Sequence, residues 1–284
     1  MTKQLLSKIE GCYSSMSKGH KRIADYITEN YDKAAFMTAA KLGDTVGVSE
    51  STVVRFASEL GFSGYPQLQK ALQEVVKSRL TSVQRMEAAG GEDMLEHAFS
   101  SDIETIKVTR ESISREAFNA SVEAINRAKH IYVLGVRSAA SLASFAALYL
   151  NFVYDSVTLI EPAGTGEAFD QAFRINKDDV CIAISFPRYS KQTINMLRFI
   201  SDRGATVISV TDSENSPIAQ FATHLLLARS SMVSFVDSLV APLSLINALI
   251  AAAASEKSGE VYSNLSSLEN IWDEYQIYQT HEDE

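Results

Sequence analysis

Cysteine is nearly missing from this chain of 284 residues, with only Cys12 and Cys181 present. Two thiols so far apart make neither a disulfide framework nor a metal-ligand spacing, so no metal is expected. A reducing compartment fits, and the opening stretch MTKQLLSKIEGCYSSMSKGHKR is too polar for a secretory leader. The chain is therefore expected in the cytoplasm. Phosphate-binding glycine patterns are missing as well. Gly135 lacks the second and third glycines of G-x-G-x-x-G, and no GxxxxGK[ST] occurs. NAD binding and P-loop ATP hydrolysis are disfavoured, and no cofactor is expected. No apolar run reaches the ~20 residues of a membrane span. The nearest, Leu239 to Ala254, carries Pro242, Ser244 and Asn247 and reads as a buried helix. A general excess of positive charge is lacking too, since the net charge is −9, which excludes a basic coat for nonspecific nucleic-acid binding.

The charge is unevenly spread. Residues 1–80 hold 11 Lys and Arg against 8 Asp and Glu, a net +3, and the remainder holds 15 against 27, a net −12. Phosphate contact favours the first segment. Hydrophobic residues make up 46%, enough for substantial cores, and the length suits two domains. The pattern predicts an all-α domain over 1–80, a linker with connecting helices over 81–120, an α/β domain over 121–260, and a C-terminal helix with an acidic tail over 261–284. Ala88-Ala89-Gly90-Gly91 reads as a flexible break. Met94 to Ser112 and Ser114 to Ala128 read as helices.

Lys41 to Phe56 carries the clearest signal. It reads as two short helices joined at Gly47, where the turn needs a residue tolerant of positive φ. Ser49 can cap the second helix. Behind it, Glu50, Ser51, Thr52 and Arg55 share a polar face, while Val53, Val54, Phe56 and Leu60 point inward. Small polar residues at a helix start, a long cation one turn on and an apolar back are the parts of a DNA recognition helix. Arg55 would reach a base edge or a phosphate, and Ser49, Ser51 and Thr52 would lie at the groove. Glu50 would lie there or serve only the electrostatics of the helix start. Lys18 and Lys21 are phosphate anchors or an ordinary solvated face. Thr38, able to cap the motif's first helix, and Tyr65, opening the next helix before Pro66, complete the candidate DNA-binding set. Ala34-Ala35-Phe36-Met37 reads as a buried connector, and Leu68, Leu72, Val75 and Val76 as the stripe of the next helix.

From His130 onward, five short apolar runs recur, at 131–136, 157–160, 180–185, 206–211 and 224–228. Strands that apolar are buried on both faces, which predicts a parallel sheet covered by helices. Ligands on such sheets bind beyond the carboxyl ends of the strands. That rule selects Gly135, Arg137 and Ser138 after the first run, and Ser185, Arg188, Tyr189, Ser190 and Thr193 after the third. Hydroxyls at a helix N-terminus with an arginine suit a phosphate. Ser138, Ser190 and Thr193 could equally be helix caps, and Phe186 and Tyr189 could line a pocket or pack in the core.

The N-terminal segment resembles the helix-turn-helix domain of the RpiR family of bacterial transcriptional regulators. The matching text is Lys21 to Ile27, Ala35 to Thr38, Val48 to Phe56 and Leu60 to Tyr65. Residues from about 125 to 256 look like the family's SIS (sugar isomerase) domain, a five-stranded parallel sheet between helices. The resemblance implies a double-stranded DNA operator as partner and a sugar-phosphate effector that alters operator binding. One departure stands out. The usual loop is Ser-x-Ser-Gly-x-Ser/Thr; here Ser185 and Ser190 match its ends, Pro187 replaces the second serine, and Arg188 replaces the glycine. The alternative is a sugar-phosphate isomerase or other SIS-fold enzyme. Its base would come from His20, His97, His130, His224 or His281, all badly placed for the pocket, or from Glu161 or Glu167. A protein-binding scaffold is a third reading. An operator reader needs two recognition helices, so a homodimer or homotetramer is expected. Leu239–Ala254 and Ala143–Phe152 are candidate dimer surfaces or plain core packing.

Overall fold

The computed structural model describes residues 8–9, 11–79, 81–88, 93–161 and 165–278. The break at Ala89-Gly90-Gly91 and the acidic tail at 281–284 lie outside the described residues, as do the side chains of Val75 and Val76. The chain divides into two compact units, residues 1–92 with 234–236, and residues 93–233 with 237–284.

The first unit is helical: α1 Lys18–Glu29, α2 Tyr31–Ala34, α3 Ala39–Val46, α4 Glu50–Glu59, α5 Tyr65–Arg79 and α6 Ser82–Ala88. Side-chain caps start four of them, one being Thr81, whose hydroxyl accepts from the Gln84 amide before α6. Ser17 accepts from the His20 amide, Thr38 from Lys41 and Ser49 from Thr52. Gly47 takes φ +69° between α3 and α4, a conformation that a side chain would strain. Ile23, Ile27, Leu42, Val53, Phe56, Leu60, Leu68 and Leu72 are fully buried and form the core. Two expectations are corrected. Val54 is 40% exposed, because a step of about 100° carries it off the arc of Val53, Phe56 and Ala57. Phe36 is 59% exposed, while Ala34 and Ala35 alone fill the interior there.

The second unit begins with α7 Met94–Ser112 and α8 Arg115–Arg127. A sheet follows, from β1 Ile131–Gly135, β2 Val157–Ile160, β3 Val180–Ile184, β4 Thr206–Thr211 and β5 His224–Leu227, with α9 Ser138–Leu150, α10 Thr165–Ala172 and α11 Lys191–Asp202 between strands. A two-residue hairpin, β6 Ser231–Met232 and β7 Asp237–Ser238, leads to α12 Val240–Glu256 and α13 Ser258–Glu274. The five-stranded sheet is parallel throughout, in the order β2-β1-β3-β4-β5. Every residue of β1 and β3 is buried, as expected of central strands covered on both faces.

Alternation along the strands builds two cores. Val133, Ile182, Ile208 and Val210 pack with α8, α9 and α12 on one face. Leu134, Cys181, Ala183 and Val207 pack with α10 and α11 on the other. The 239–254 run is mostly α12, with Leu245, Ile246, Leu249 and Ile250 buried against the sheet. Burial pushes the Cys181 thiol up to about 12, so it stays protonated at neutral pH. No helix among the described residues is long and apolar enough to cross a membrane.

Candidate DNA-reading surface and effector crevice

In the first unit the motif is held by contacts from α1. Arg22 Nη2 donates to the Gly47 carbonyl at 2.9 Å, fixing the turn. His20 Nδ1 lies 2.5 Å from Glu59 Oε2 and its ring meets Phe56 edge-on, tying α1 to α4. A Cβ on Gly19 would sit 3.4 Å from Thr52 Cγ2 and 3.5 Å from Val48 Cγ1, so the start of α1 lies against the start of α4. Lys18 is exposed beside that contact, and Lys21 is half-buried with its ammonium 5.4 Å from the Tyr13 ring centroid.

The outer face of α4 carries Glu50, Ser51 and Arg55, all exposed, with Thr52 half-buried. The Ser49 hydroxyl lies 2.9 Å from that of Ser51 and 2.8 Å from that of Thr52. Arg55 Nε donates to the Ser51 carbonyl at 3.4 Å, so the guanidinium lies back along the helix. Tyr65 does not join this set. It is 4% exposed and its hydroxyl donates to the Met37 carbonyl at 2.7 Å. Burial pushes its pKa to about 12. Its ring anchors α5 on the connector before α3. Tyr65→Phe should therefore cost about 1 kcal/mol of stability, the net worth of one hydrogen bond. Thermal melts and gel shifts should show a lower midpoint with DNA affinity unchanged. Arg22 was missed as a positioning residue; its place one residue after Lys21 on α1 gave no sign of a reach to Gly47.

In the second unit the strand order reverses direction at β1 and β3, which are adjacent. Helix α9 leaves β1 toward one face and α11 leaves β3 toward the other. The loops after these strands therefore leave toward opposite faces at the carboxyl edge, the place where open parallel sheets hold their ligands. On the β1 side, Gly135 is buried, and a Cβ there would meet the Ala139 carbonyl oxygen at 2.4 Å and Ala143 Cβ at 2.8 Å. Its part is to let α9 approach, not to touch a ligand by a side chain. Arg137 is exposed at the N-cap of α9 with φ +59°, and Ser138 is the first helical residue, without a side-chain cap bond.

On the β3 side, Ser185 is buried at the strand end, and Phe186 enters the apolar core rather than a pocket. Arg188 is exposed with φ +68°, the conformation that a glycine adopts freely at the place where the usual loop has one. The Tyr189 hydroxyl donates to Asp212 Oδ1 at 2.7 Å, binding the loop to the end of β4. Asp212, 6% exposed, was missed; an acid directly after an apolar strand was its only signal. Ser190 caps α11 by accepting from the Gln192 amide at 3.2 Å. Thr193, one turn in, is 1% exposed and its hydroxyl has no hydrogen-bond partner.

Histidines lie elsewhere. His130 precedes β1, with Nε2 2.8 Å from the Thr158 hydroxyl, and His224 opens β5; both sit at the amino edge, opposite the crevice. Glu161 and Glu167 are exposed. Among the described residues no group of His, Cys, Asp or Glu could hold a metal ion.

A helix-turn-helix unit joined to a sheet of this order defines a DNA-binding regulator with a separate α/β domain. Comparison with known proteins agrees. The helix-turn-helix domain of the rpiR family matches residues 3–79, and the SIS domain matches residues 124–252. An HTH-type transcriptional regulator of Haemophilus influenzae is 26% identical over 230 residues, covering 78% of this chain and 79% of that protein. The sugar isomerase domain of an RpiR transcription factor from Sphaerobacter thermophilus is 30% identical, with TM-score 0.58, covering 61% of this chain and 96% of that one. The Vibrio vulnificus NanR protein, solved in complex with ManNAc-6P, is 23% identical with TM-score 0.60, covering 95% of this chain and 98% of that one. The chain belongs to the RpiR family of DNA-binding transcriptional regulators, with a C-terminal SIS domain.

Proposed function

We propose that this regulator binds its operator through the outer face of α4 and is controlled by a phosphorylated sugar or related acid held in the crevice between the β1 and β3 loops. The protein acts in the cytoplasm as a homo-oligomer and without catalysis. Arg55, Ser49, Glu50, Ser51 and Thr52 meet the groove, with Lys18, Lys21 and Thr38 along its phosphates. The effector phosphate sits at the start of α11, where unpaired amides and the helix dipole favour an anion. Ser185 and Ser190 line it, and Arg137 and Arg188 approach from either side.

The observation that carries this reading is the Thr193 hydroxyl. A buried hydroxyl without a partner costs about 1–3 kcal/mol, and a phosphate oxygen at the head of α11 supplies the missing partner. NanR, which shares the fold, was solved with the sugar phosphate ManNAc-6P, and this supports the same ligand class here. A ligand that binds the folded form raises its melting temperature by mass action. Thermal-shift screening of the full chain with phosphorylated sugars and sugar acids should yield a stabilising compound, and footprinting should show that it changes operator occupancy. Thr193→Val should raise the ligand-free stability by about 1 kcal/mol while weakening that compound's binding about tenfold or more. Turnover of aldose or ketose phosphates by the wild type would overturn the non-catalytic part. Failure of every sugar phosphate to bind would overturn the effector.

A further inference from the structure

Helix α7 stands out in the second unit. Thr109 is its only buried residue. Leu95, Phe99, Ile103 and Ile106 are 70%, 63%, 66% and 36% exposed. Steps of four, four and three residues keep these side chains within one narrow arc, so they form a continuous stripe along the helix. Scattered exposed apolar residues are ordinary, but a contiguous row of them marks a contact surface.

Charge says what covers it. From Asp93 to Glu104 the helix carries Asp93, Glu96, Asp102 and Glu104 and no Lys or Arg. From Thr105 to Ser112 it carries Lys107 and Arg110 against the single acid Glu111, and Arg115 follows at the start of α8. A helix that is acidic in its first half and basic in its second complements an antiparallel copy of itself. A two-fold pair of that kind is isologous, each residue meeting its counterpart's partner in turn. A parallel pair would stack acid on acid.

The register can be read as well. Glu96 and Lys107 lie on the same flank of the stripe, and antiparallel two-fold pairing apposes equal flanks. Setting Glu96 of each copy opposite Lys107 of the other brings Phe99 and Ile103 together near the centre. It also carries Leu95 of the second copy to the region of residue 108. There an apolar groove of about 250 Å³ opens, lined by Ile106, Ile113, Phe118, Ala241 and Leu245. The most exposed apolar side chain of the stripe thus falls on the hollow able to receive it.

We propose that α7 is the homodimer interface, an antiparallel helix pair closed by Leu95 in the groove of the opposite subunit and by two Glu96–Lys107 ion pairs. It gives the oligomer proposed above its surface and rests on that reading. The test is sedimentation of the full chain across the micromolar range, with melting temperature as a check on folding. Phe99→Glu with Ile103→Glu puts charge at the centre of the pair and should raise the dissociation constant about 100-fold, leaving the monomer folded because both side chains are exposed. Glu96→Lys should weaken association, and adding Lys107→Glu on the same chain should restore it, since the swapped charges meet again only in the antiparallel register. A wild type that remains monomeric would overturn both the homo-oligomer and this surface. An oligomer that persists in Phe99→Glu/Ile103→Glu, or lacks rescue in the charge swap, would leave the homo-oligomer standing and overturn α7 as its seam.

Discussion

Arg55→Ala should abolish operator-specific binding while leaving the melting temperature nearly unchanged. The side chain is exposed on α4, and its one intramolecular hydrogen bond is the 3.4 Å contact to the Ser51 carbonyl. Surface changes of that kind alter stability by less than about 0.5 kcal/mol. A bidentate arginine–guanine contact contributes about 1–3 kcal/mol of discrimination, and the proposed dimer would lose it twice. The combined loss is on the order of 100-fold or more in specific affinity at fixed salt. Quantitative footprinting over a salt series separates the two roles open to this cation. A base reader relaxes sequence preference, whereas a phosphate anchor weakens all sequences alike and flattens the salt slope by about one. Wild-type footprints with this variant would remove Arg55 from the interface.

Gly135→Ala should produce the largest loss of stability from a single methyl group. The added Cβ would stand 2.4 Å from the Ala139 carbonyl oxygen and 2.8 Å from Ala143 Cβ, both on α9. Neither can swing away: one is helix backbone, and the other belongs to a fully buried alanine. Helix α9 must lift from β1, disturbing the core of Val133, Leu142, Ala146 and Leu150. Overpacking of this kind costs about 3 kcal/mol, which lowers the melting temperature of a domain this size by roughly 6–10 °C. Because α9 begins at the crevice, effector-induced stabilisation should fall along with it. A melting temperature within about 2 °C of wild type would show that α9 accommodates the methyl group.

Most of the architecture was legible because its signals are strong. Five apolar runs separated by helical stretches leave little choice but a covered parallel sheet, and β1, β3 and β4 begin and end close to where their runs do. Gly47, Ser49 and Thr38 were readable because each residue type answers a backbone need at its own position. What escaped was whatever depends on distance in space. The strand order β2-β1-β3-β4-β5, which makes the crevice, has no local signature, although both of its loops were found by the carboxyl-edge rule. The hairpin β6–β7 has strands too short for alternation to register. Val54 and Phe36 were assigned inward on apolar character alone, which says nothing about which side of an arc they occupy. Tyr65 was set outward beside the motif, yet its hydroxyl finds a carbonyl 28 residues away. Arg137 is selected by its place after the first run and Arg188 by its guanidinium, but nothing about arginine announces a positive φ.

The contacts from Arg22 to Gly47 and from His20 to Glu59 have a mechanical meaning. They brace the two-helix motif against a third helix at both its turn and its far end. A motif so braced behaves as a stiff block, with no soft joint of its own. If a metabolite controls operator binding as proposed, it would act on this block as a whole and not by bending the two-helix motif within it.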